Sequence, residues 1–430
     1  MKILVTGATG FVGSLVTCKL LEAGLQVVCA VKNTELAKGQ FPQAEIVYCD
    51  FYTDHHVEDW LPKLAAIDVV INCVGIFYNK NKEVLWDVHF RTPKALFQAC
   101  EQTGVKRIIH LSALGIEDYD TAYAKSKLAA ETFLKNESAV PFFILKPSFI
   151  YGAEAKGGMV LLRSLAVFPG FIPLPANGTQ YFQPIYVHDL VNIMLVLLDK
   201  PFAQSKSIAC VSEKPMSLKE ILNHLALWLG RTKCYFLPIP AFFLNLGGFL
   251  GNLFKNPLIN SDAVQMLLKG NKASPQQVQD LENITGIKPL GFEKGLQRFS
   301  STEQDKWYAK LFLLQPLLRL SLAFMWLFSA IVSAIFFKEE SYQLLSTVNI
   351  PAYWQAYFLY GACCINFFIG LSLLFNLKIK SNCIIQIFVI IFYTLIITLF
   401  IPFYWLEPFG PIVKNIPILV SILILYAMEP

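Results

Sequence analysis

The order of apolar and polar positions divides the chain in two. Up to about residue 310, short apolar runs alternate with stretches of helical spacing, and most of the charged residues lie here. Beyond it come four long, nearly charge-free segments, at roughly 316–337, 353–375, 383–405 and 411–427. Each is near the roughly 20 residues that a helix needs to cross a hydrocarbon core. The pattern predicts an α/β domain over 1–305 and an all-α bundle of four transmembrane helices over 306–430.

Residues 3–5, Ile-Leu-Val, read as a short buried parallel strand. The turn Thr6-Gly7-Ala8-Thr9-Gly10-Phe11-Val12-Gly13 follows, then a helix over 14–22. Further apolar runs at 26–31, 45–49, 68–73 and 107–111 each end in a polar or glycine turn. Repeated strand, turn and helix predict a doubly wound parallel sheet, with ligands at the carboxyl ends of the strands.

The glycine turn suits a dinucleotide. Gly7 permits a tight turn, Gly10 lets the backbone approach a pyrophosphate, and Gly13 lets the helix pack closely. Open N–H groups at the helix start would bind the phosphates. The plainer alternative is a glycine turn with no ligand. Past 26–31, where an NAD-selective site places Asp or Glu, the chain has Lys32 and Asn33. A cation there favours a 2′-phosphate, so NADP(H) is expected over NAD(H).

A second constellation lies further on. Tyr123 and Lys127 are four apart on a stretch rich in Ala, Lys and Leu, so they share a helix face. An ammonium beside a phenol lowers its pKa and fits Tyr123 as general acid or base. Ser112, ending the 107–111 strand, would hydrogen-bond a substrate oxygen. An ordinary amphipathic helix is the alternative. From 147 to about 305 the chain alternates short strands and helices, the expected substrate part. Asp189 is a candidate helix cap, and Ser217 with Glu220 forms a capping-box pattern. The apolar stretch PAFFLNLGGFLGNLF, 240–254, is too short to span. It reads either as a buried helix pair or as a segment at a bilayer surface.

Composition narrows the class. At 55% hydrophobic residues the chain is too apolar for an ordinary soluble enzyme. A net charge of +5 without a basic stripe argues against nucleic-acid binding. Ten scattered cysteines and six histidines without ligand spacing predict structural thiols and no metal site. The N-terminus has no apolar core or cleavage site of a signal peptide, so the first domain is expected to fold in the cytosol. Lys306, Lys310, Arg319, Lys378 and Lys380 flank or begin the apolar segments on one side, against Lys338, Glu339, Glu340, Glu407 and Lys414, with little net positive charge, on the other. The bias predicts a multi-pass inner-membrane protein with both termini cytoplasmic.

TGATGFVG, NCVG, Ser112 and YAKSK occur in an order that resembles the short-chain dehydrogenase/reductase superfamily over about the first 300 residues. HLSALGI, YAKSKLAAE, LKPSFIYG and FQPIYVHDL resemble its atypical branch of complex I accessory-subunit-like and sugar-nucleotide epimerase-like proteins. The resemblance implies a Rossmann fold. It implies Tyr123 as acid/base, Lys127 on the nicotinamide ribose and Ser112 orienting substrate. Gly7, Thr9, Gly10, Phe11, Val12 and Gly13 would hold the cofactor, with Asp50 and Phe51 by the adenine. Asn72, Val74, Gly75 and Pro147 would line it. The branch often has Arg-Pro where this chain has Lys146-Pro147. RLSLAFMWLFSAI and EPFGPIVKNIPIL resemble the DoxX-like family of four-helix membrane proteins, some of them tied to quinone-linked redox chemistry.

Three functions follow. The first is a membrane-anchored oxidoreductase acting on a lipophilic carbonyl or alcohol or a quinone. The second is a nucleotide-binding scaffold or redox-sensor subunit of a membrane complex. The third is a sugar-nucleotide epimerase-like enzyme.

Overall fold

The computed structural model describes residues 1–155, 157–253, 260–408 and 410–429. Phe254, the last residue of the short apolar stretch, lies outside them. The chain divides into two compact units, Met1–Ala309 and Lys310–Pro430.

The first unit is built on a seven-stranded parallel sheet. Its strands are β1 (Lys2–Thr6), β2 (Gln26–Val31), β3 (Glu45–Tyr48), β4 (Val69–Asn72), β5 (Arg107–Leu111), β6 (Phe142–Pro147) and β7 (Lys206–Cys210). Their spatial order is β7-β6-β5-β4-β1-β2-β3. The order reverses between β1 and β4, the topological switch point of a doubly wound sheet. Side chains alternate between two cores. Ile3 and Val5 join the cluster holding Val12, Val16 and Leu20 of the first helix, Phe11–Glu22. Leu4 joins the opposite cluster with Trp60, Leu96, Phe97 and Leu134. Both faces are covered, which is why β1 reads as an unbroken apolar run.

Polar groups tie three strands together at the switch point. Thr6 Oγ1 donates to Asn72 Oδ1 at 2.7 Å, and Asn72 Nδ2 meets His110 Nδ1 at 3.1 Å. His110 Nδ1 is thus an acceptor, and its Nε2 is buried without a partner among the described residues. Burial holds this imidazole neutral, its pKa lowered to about 3.

The remainder of the first unit carries short strand pairs and helices. The Ser217–Glu220 capping box is present at the start of helix Leu218–Trp228. The Asp189 cap is not. Helix Val187–Leu198 begins two residues earlier, with Tyr186 at the cap position, and the Asp189 carboxylate accepts the distant Leu290 N–H at 2.8 Å. Helix Ala241–Leu253 packs through glycine: a Cβ on Gly248 would lie 3.1 Å from Ser261 Cα. Its large side chains face outward, with Phe242 71% and Phe249 62% exposed. This is no buried helix pair.

Among the described residues the four expected spans become three. Glu303–Phe336, Ala352–Leu374 and Ile379–Phe400 are long and apolar enough to cross a membrane. The first starts well before the expected 316, and Pro316 sits inside it. Proline is tolerated in apolar helices, and the charged turns ahead of it still favour helix. The fourth helix is only Asn415–Met428, 14 residues. At about 1.5 Å per residue it covers about 21 Å, short of the roughly 30 Å core. Gly410 in a left-handed conformation and Pro411 keep 411–414 in turns. Asn415 Nδ2 donates to Thr394 Oγ1 at 2.8 Å, so the short helix starts within the bundle. Its far end meets Gln315, whose Nε2 donates to Met428 O and Glu429 Oε1 at 3.3 and 3.0 Å. Gly370 lets the first two long helices touch, since a Cβ there would lie 2.6 Å from Leu327 Cγ.

His110 makes the first unit sensitive to acid. The native ring binds its proton near pH 3 and the unfolded ring near 6.5, so the unfolded chain holds more protons between these values. Stability should therefore fall as pH drops below about 6.5, by up to about 1.4 kcal/mol per pH unit from this group. Chemical denaturation of the full-length protein from pH 7 to 5 checks it. His110→Gln should flatten the slope, and an equal slope in both proteins would contradict the assignment.

Candidate active site

Three glycines shape the turn after β1. Gly7 has φ +67°, and a Cβ there would lie 3.0 Å from Val74 Cγ2. A Cβ on Gly13 would lie 2.1 Å from the Gly7 carbonyl oxygen, so the helix start is pressed onto the turn. Gly10 N–H donates to Gly7 O at 2.9 Å, and Gly10 O accepts from Ser14 N–H at 2.8 Å. No side chain caps the helix, and its first turn holds no acidic residue. Its first N–H groups are open to an anion, and the helix dipole favours one. Thr9 lies in the turn, Val12 is buried in the core and Phe11 packs close to Gly152. This cradle fits the pyrophosphate of a dinucleotide.

The loop after β4 lies beside the turn. Val74 N–H donates to Asn72 Oδ1 at 3.3 Å. A Cβ on Gly75 would lie 3.5 Å from Lys127 Nζ and 3.8 Å from His89 Nε2. At the end of β2, Lys32 Nζ is 2.7 Å from Asp50 Oδ2 and 4.7 Å from the centre of the Tyr52 ring. Asp50 Oδ1 also accepts Tyr52 N–H. Burial alone would raise the Asp50 carboxyl, but hydrogen bonds from Lys32 and from Tyr52 N–H and the charge of Lys32 hold it below the usual carboxylate range. Phe51 turns its ring into the core, edge-on to Trp60 at 5.6 Å. Pro147 ends β6, and its carbonyl accepts Leu114 N–H at 2.8 Å.

Helix Ala122–Asn136, capped by the Thr121 hydroxyl on Ala124 N–H, presents Tyr123, Lys127 and Glu131 at successive turns of one face. Lys127 Nζ donates to Leu111 O at 3.0 Å and lies 5.8 Å from the centre of the Tyr123 ring. Burial lowers Lys127 to about 8, against the opposing pull of Glu131 and Cys73. Burial also pushes the Tyr123 phenol up. This is opposite in direction to the lowering expected from an adjacent ammonium, because desolvation outweighs a charge turned toward the Leu111 carbonyl. Tyr123 packs against Phe77 at 5.1 Å and His89 at 5.3 Å.

Ser112 differs from expectation. Its hydroxyl donates to Glu131 Oε1 at 2.6 Å instead of standing free for a substrate oxygen. The reason is electrostatic: Glu131 is fully buried, and a buried carboxylate needs donors. Lys135 and Lys146 approach Glu131 Oε2 at 3.0 and 3.3 Å, and Lys146 also pairs with Glu117. Lys146 thus serves this carboxylate. Two more residues escaped the sequence reading. Glu131 carried a signal, since it repeats the four-residue spacing of Tyr123 and Lys127. His89 carried none. Its Nε2 accepts Ile76 N–H at 3.2 Å, its Nδ1 is 2.9 Å from Ser126 Oγ, and Ser126 Oγ donates to Tyr123 O at 3.0 Å. A neutral ring, held so by burial and Lys127, thus links the 73–77 loop to the Tyr123 helix. All ten cysteines are free thiols. Among the described residues no group of three or more His, Cys, Asp or Glu is placed to hold a metal.

Two family models match this chain: the NAD dependent epimerase/dehydratase family over residues 3–210, and the DoxX-like family over 323–423. The mouse protein "NADH dehydrogenase [ubiquinone] 1 alpha subcomplex subunit 9, mitochondrial" is 26% identical over 304 residues, 67% of this chain and 77% of its own length. The Arabidopsis thaliana protein of that name is 30% identical over 205 residues, 45% of this chain and 49% of its own. Among solved structures, Thermus thermophilus UDP-glucose 4-epimerase in complex with NAD superimposes with a TM-score of 0.54 at 18% identity. The match covers 69% of this chain and 97% of the epimerase. Residues 3–210 thus resemble the NAD dependent epimerase/dehydratase family, with relatives such as complex I subunit 9, and residues 323–423 resemble the DoxX-like family.

Proposed function

We propose that the protein is a membrane-anchored, nicotinamide-dinucleotide-dependent oxidoreductase of the short-chain dehydrogenase/reductase type. It acts on a lipophilic carbonyl or alcohol, or on a quinone. The observation that carries this reading is the placing of Lys127 Nζ next to both Gly75 and the Tyr123 ring. The Gly7–Gly13 turn would hold the pyrophosphate, and Lys127 the nicotinamide ribose. A dinucleotide held there supplies or takes up a hydride. Tyr123 would give its phenol proton to the carbonyl oxygen, or take one from an alcohol, and Lys127 would stabilise the phenolate. Ser112 would act through Glu131, fixing the helix that carries both. The outward phenylalanines of Ala241–Leu253 support a bilayer-surface segment and hence a lipophilic substrate.

NADP(H) is favoured over NAD(H) because Lys32 follows β2, although a 2′-phosphate must compete with Asp50 for it. The nucleotide unit and the C-terminus would both face the cytoplasm across an inner membrane. The basic bias at Lys378 and Lys380 supports this, as does the return of the short helix to Gln315. A nucleotide-binding scaffold or sensor is the second reading, favoured by the engagement of the Ser112 hydroxyl with Glu131.

The test is NADPH oxidation by the full-length protein in lipid, with a panel of quinones, lipid aldehydes and ketones. Tyr123→Phe should lower turnover by about 100-fold or more. Turnover should also fall as pH rises through about 8, where Lys127 loses its proton. Tight NADPH binding without turnover on any acceptor selects the scaffold reading. Lys32→Ala should weaken NADPH about tenfold more than NADH in equilibrium titration. An equal loss for both would remove Lys32 from cofactor selection.

A further inference from the structure

The core of the second unit is apolar, built on Leu322, Ala323, Ile369, Leu373, Ile422 and Leu425. Polar side chains inside a membrane bundle are costly and call for a reason. Three of them have one. Trp326 Nε1 donates to Gln386 Oε1 at 2.8 Å, Gln386 Nε2 to Asn382 Oδ1 at 2.6 Å, and Asn382 Nδ2 to Ile369 O at 3.1 Å. This chain of bonds links the three long helices and accounts for its members.

Asn366 stands apart from it. It is 9% exposed, and its Oδ1 is buried with no hydrogen-bond partner among the described residues. An acceptor left so in a low-dielectric interior lacks the donor that would offset its desolvation. Asn366 lines a cavity of about 160 Å³, walled by Trp326 and Ile390 and bordered by Ser329, Tyr393 and Asn415. Ser329 is exposed and marks the opening, and the Ser329 and Tyr393 hydroxyls make no hydrogen bonds among the described residues. The volume is several times that of one water. An engineered cavity of about 150 Å³ accepts benzene, so this one has room for a single ring. Among the described residues the wall holds no carboxylate, ammonium or guanidinium, so the fitting ligand is neutral.

We propose that the membrane unit binds the hydroxyl-bearing ring of a neutral, lipophilic phenol-type molecule here, with the hydroxyl donating to Asn366 Oδ1. Trp326 and Ile390 flank the ring, and Ser329 and Tyr393 offer a second hydrogen bond at the mouth. The site lies wholly in the second unit. It stands whether or not the nucleotide unit is an enzyme.

The test uses the full-length protein in phosphatidylcholine nanodiscs without nucleotide. Two probes of nearly equal shape, 4-fluorophenol and 4-fluoroanisole, are titrated by fluorine NMR against empty nanodiscs. The phenol should bind saturably, and the ether, which has no donor, about tenfold more weakly. Asn366→Leu should bring the phenol to the level of the ether. It removes an unpartnered polar group and should fold with an equal or higher Tm. Ser329→Phe, which narrows the mouth, should weaken both probes. Partition equal to empty nanodiscs, as for a cavity that holds only water, would overturn the proposal. So would phenol binding unchanged in both variants. Because no nucleotide is present, either result leaves the oxidoreductase reading to its own assay.

Discussion

The buried carboxylate of Glu131 is the constraint on which the candidate site depends. A charge with no water around it must be met by donors, and it is met from three directions. Ser112 comes from the end of β5, Lys146 from β6, and Lys135 from the next turn of the same helix. These contacts leave the helix one register against the sheet. With that register set, Lys127 reaches the Leu111 carbonyl and Tyr123 lies one turn further on, against His89. Removing one partner of such a cluster leaves uncompensated charge, which costs more than the pair gains when whole.

The same burial shifts both members of the proposed acid/base pair. Desolvation lowers Lys127 and raises Tyr123, so the pair is poised with a weakened ammonium beside a reluctant phenol. The glycine turn makes a complementary demand on the opposite side. Gly13 gives up its side chain so that the helix start can press on Gly7, and the open N–H groups of that helix then point out of the turn. Both features converge on the carboxyl ends of β1 and β4, the place where a doubly wound sheet opens a crevice.

Much of this is legible in the chain. The β1 run, the three glycines and the Tyr123–Lys127 spacing are local patterns, and local patterns survive folding. The hydrogen bond of Ser112 is not local. It depends on a carboxylate 19 residues away that only the packed helix brings near. The Asp189 cap failed for a similar reason, because Leu290, far along the chain, claims its carboxylate. In the membrane unit, hydropathy located every apolar segment but not its helical limits. Pro316 suggested a start that the helix ignores, while Gly410 and Pro411 cut the last helix short. The 240–254 stretch left two readings open, and only the outward direction of Phe242 and Phe249 removes one of them.

In the proposed function, this helix face and the glycine turn together form a hydride-transfer site for a molecule dissolved in the membrane. The most direct measurement is transfer of deuterium from C4-deuterated NADPH. The full-length protein is held in its native lipid extract, and the lipid fraction is read by mass spectrometry. The account predicts label in a lipid-soluble product, present with the wild-type protein and absent with Tyr123→Phe. Stoichiometric NADPH binding with no label leaving the nucleotide would contradict it.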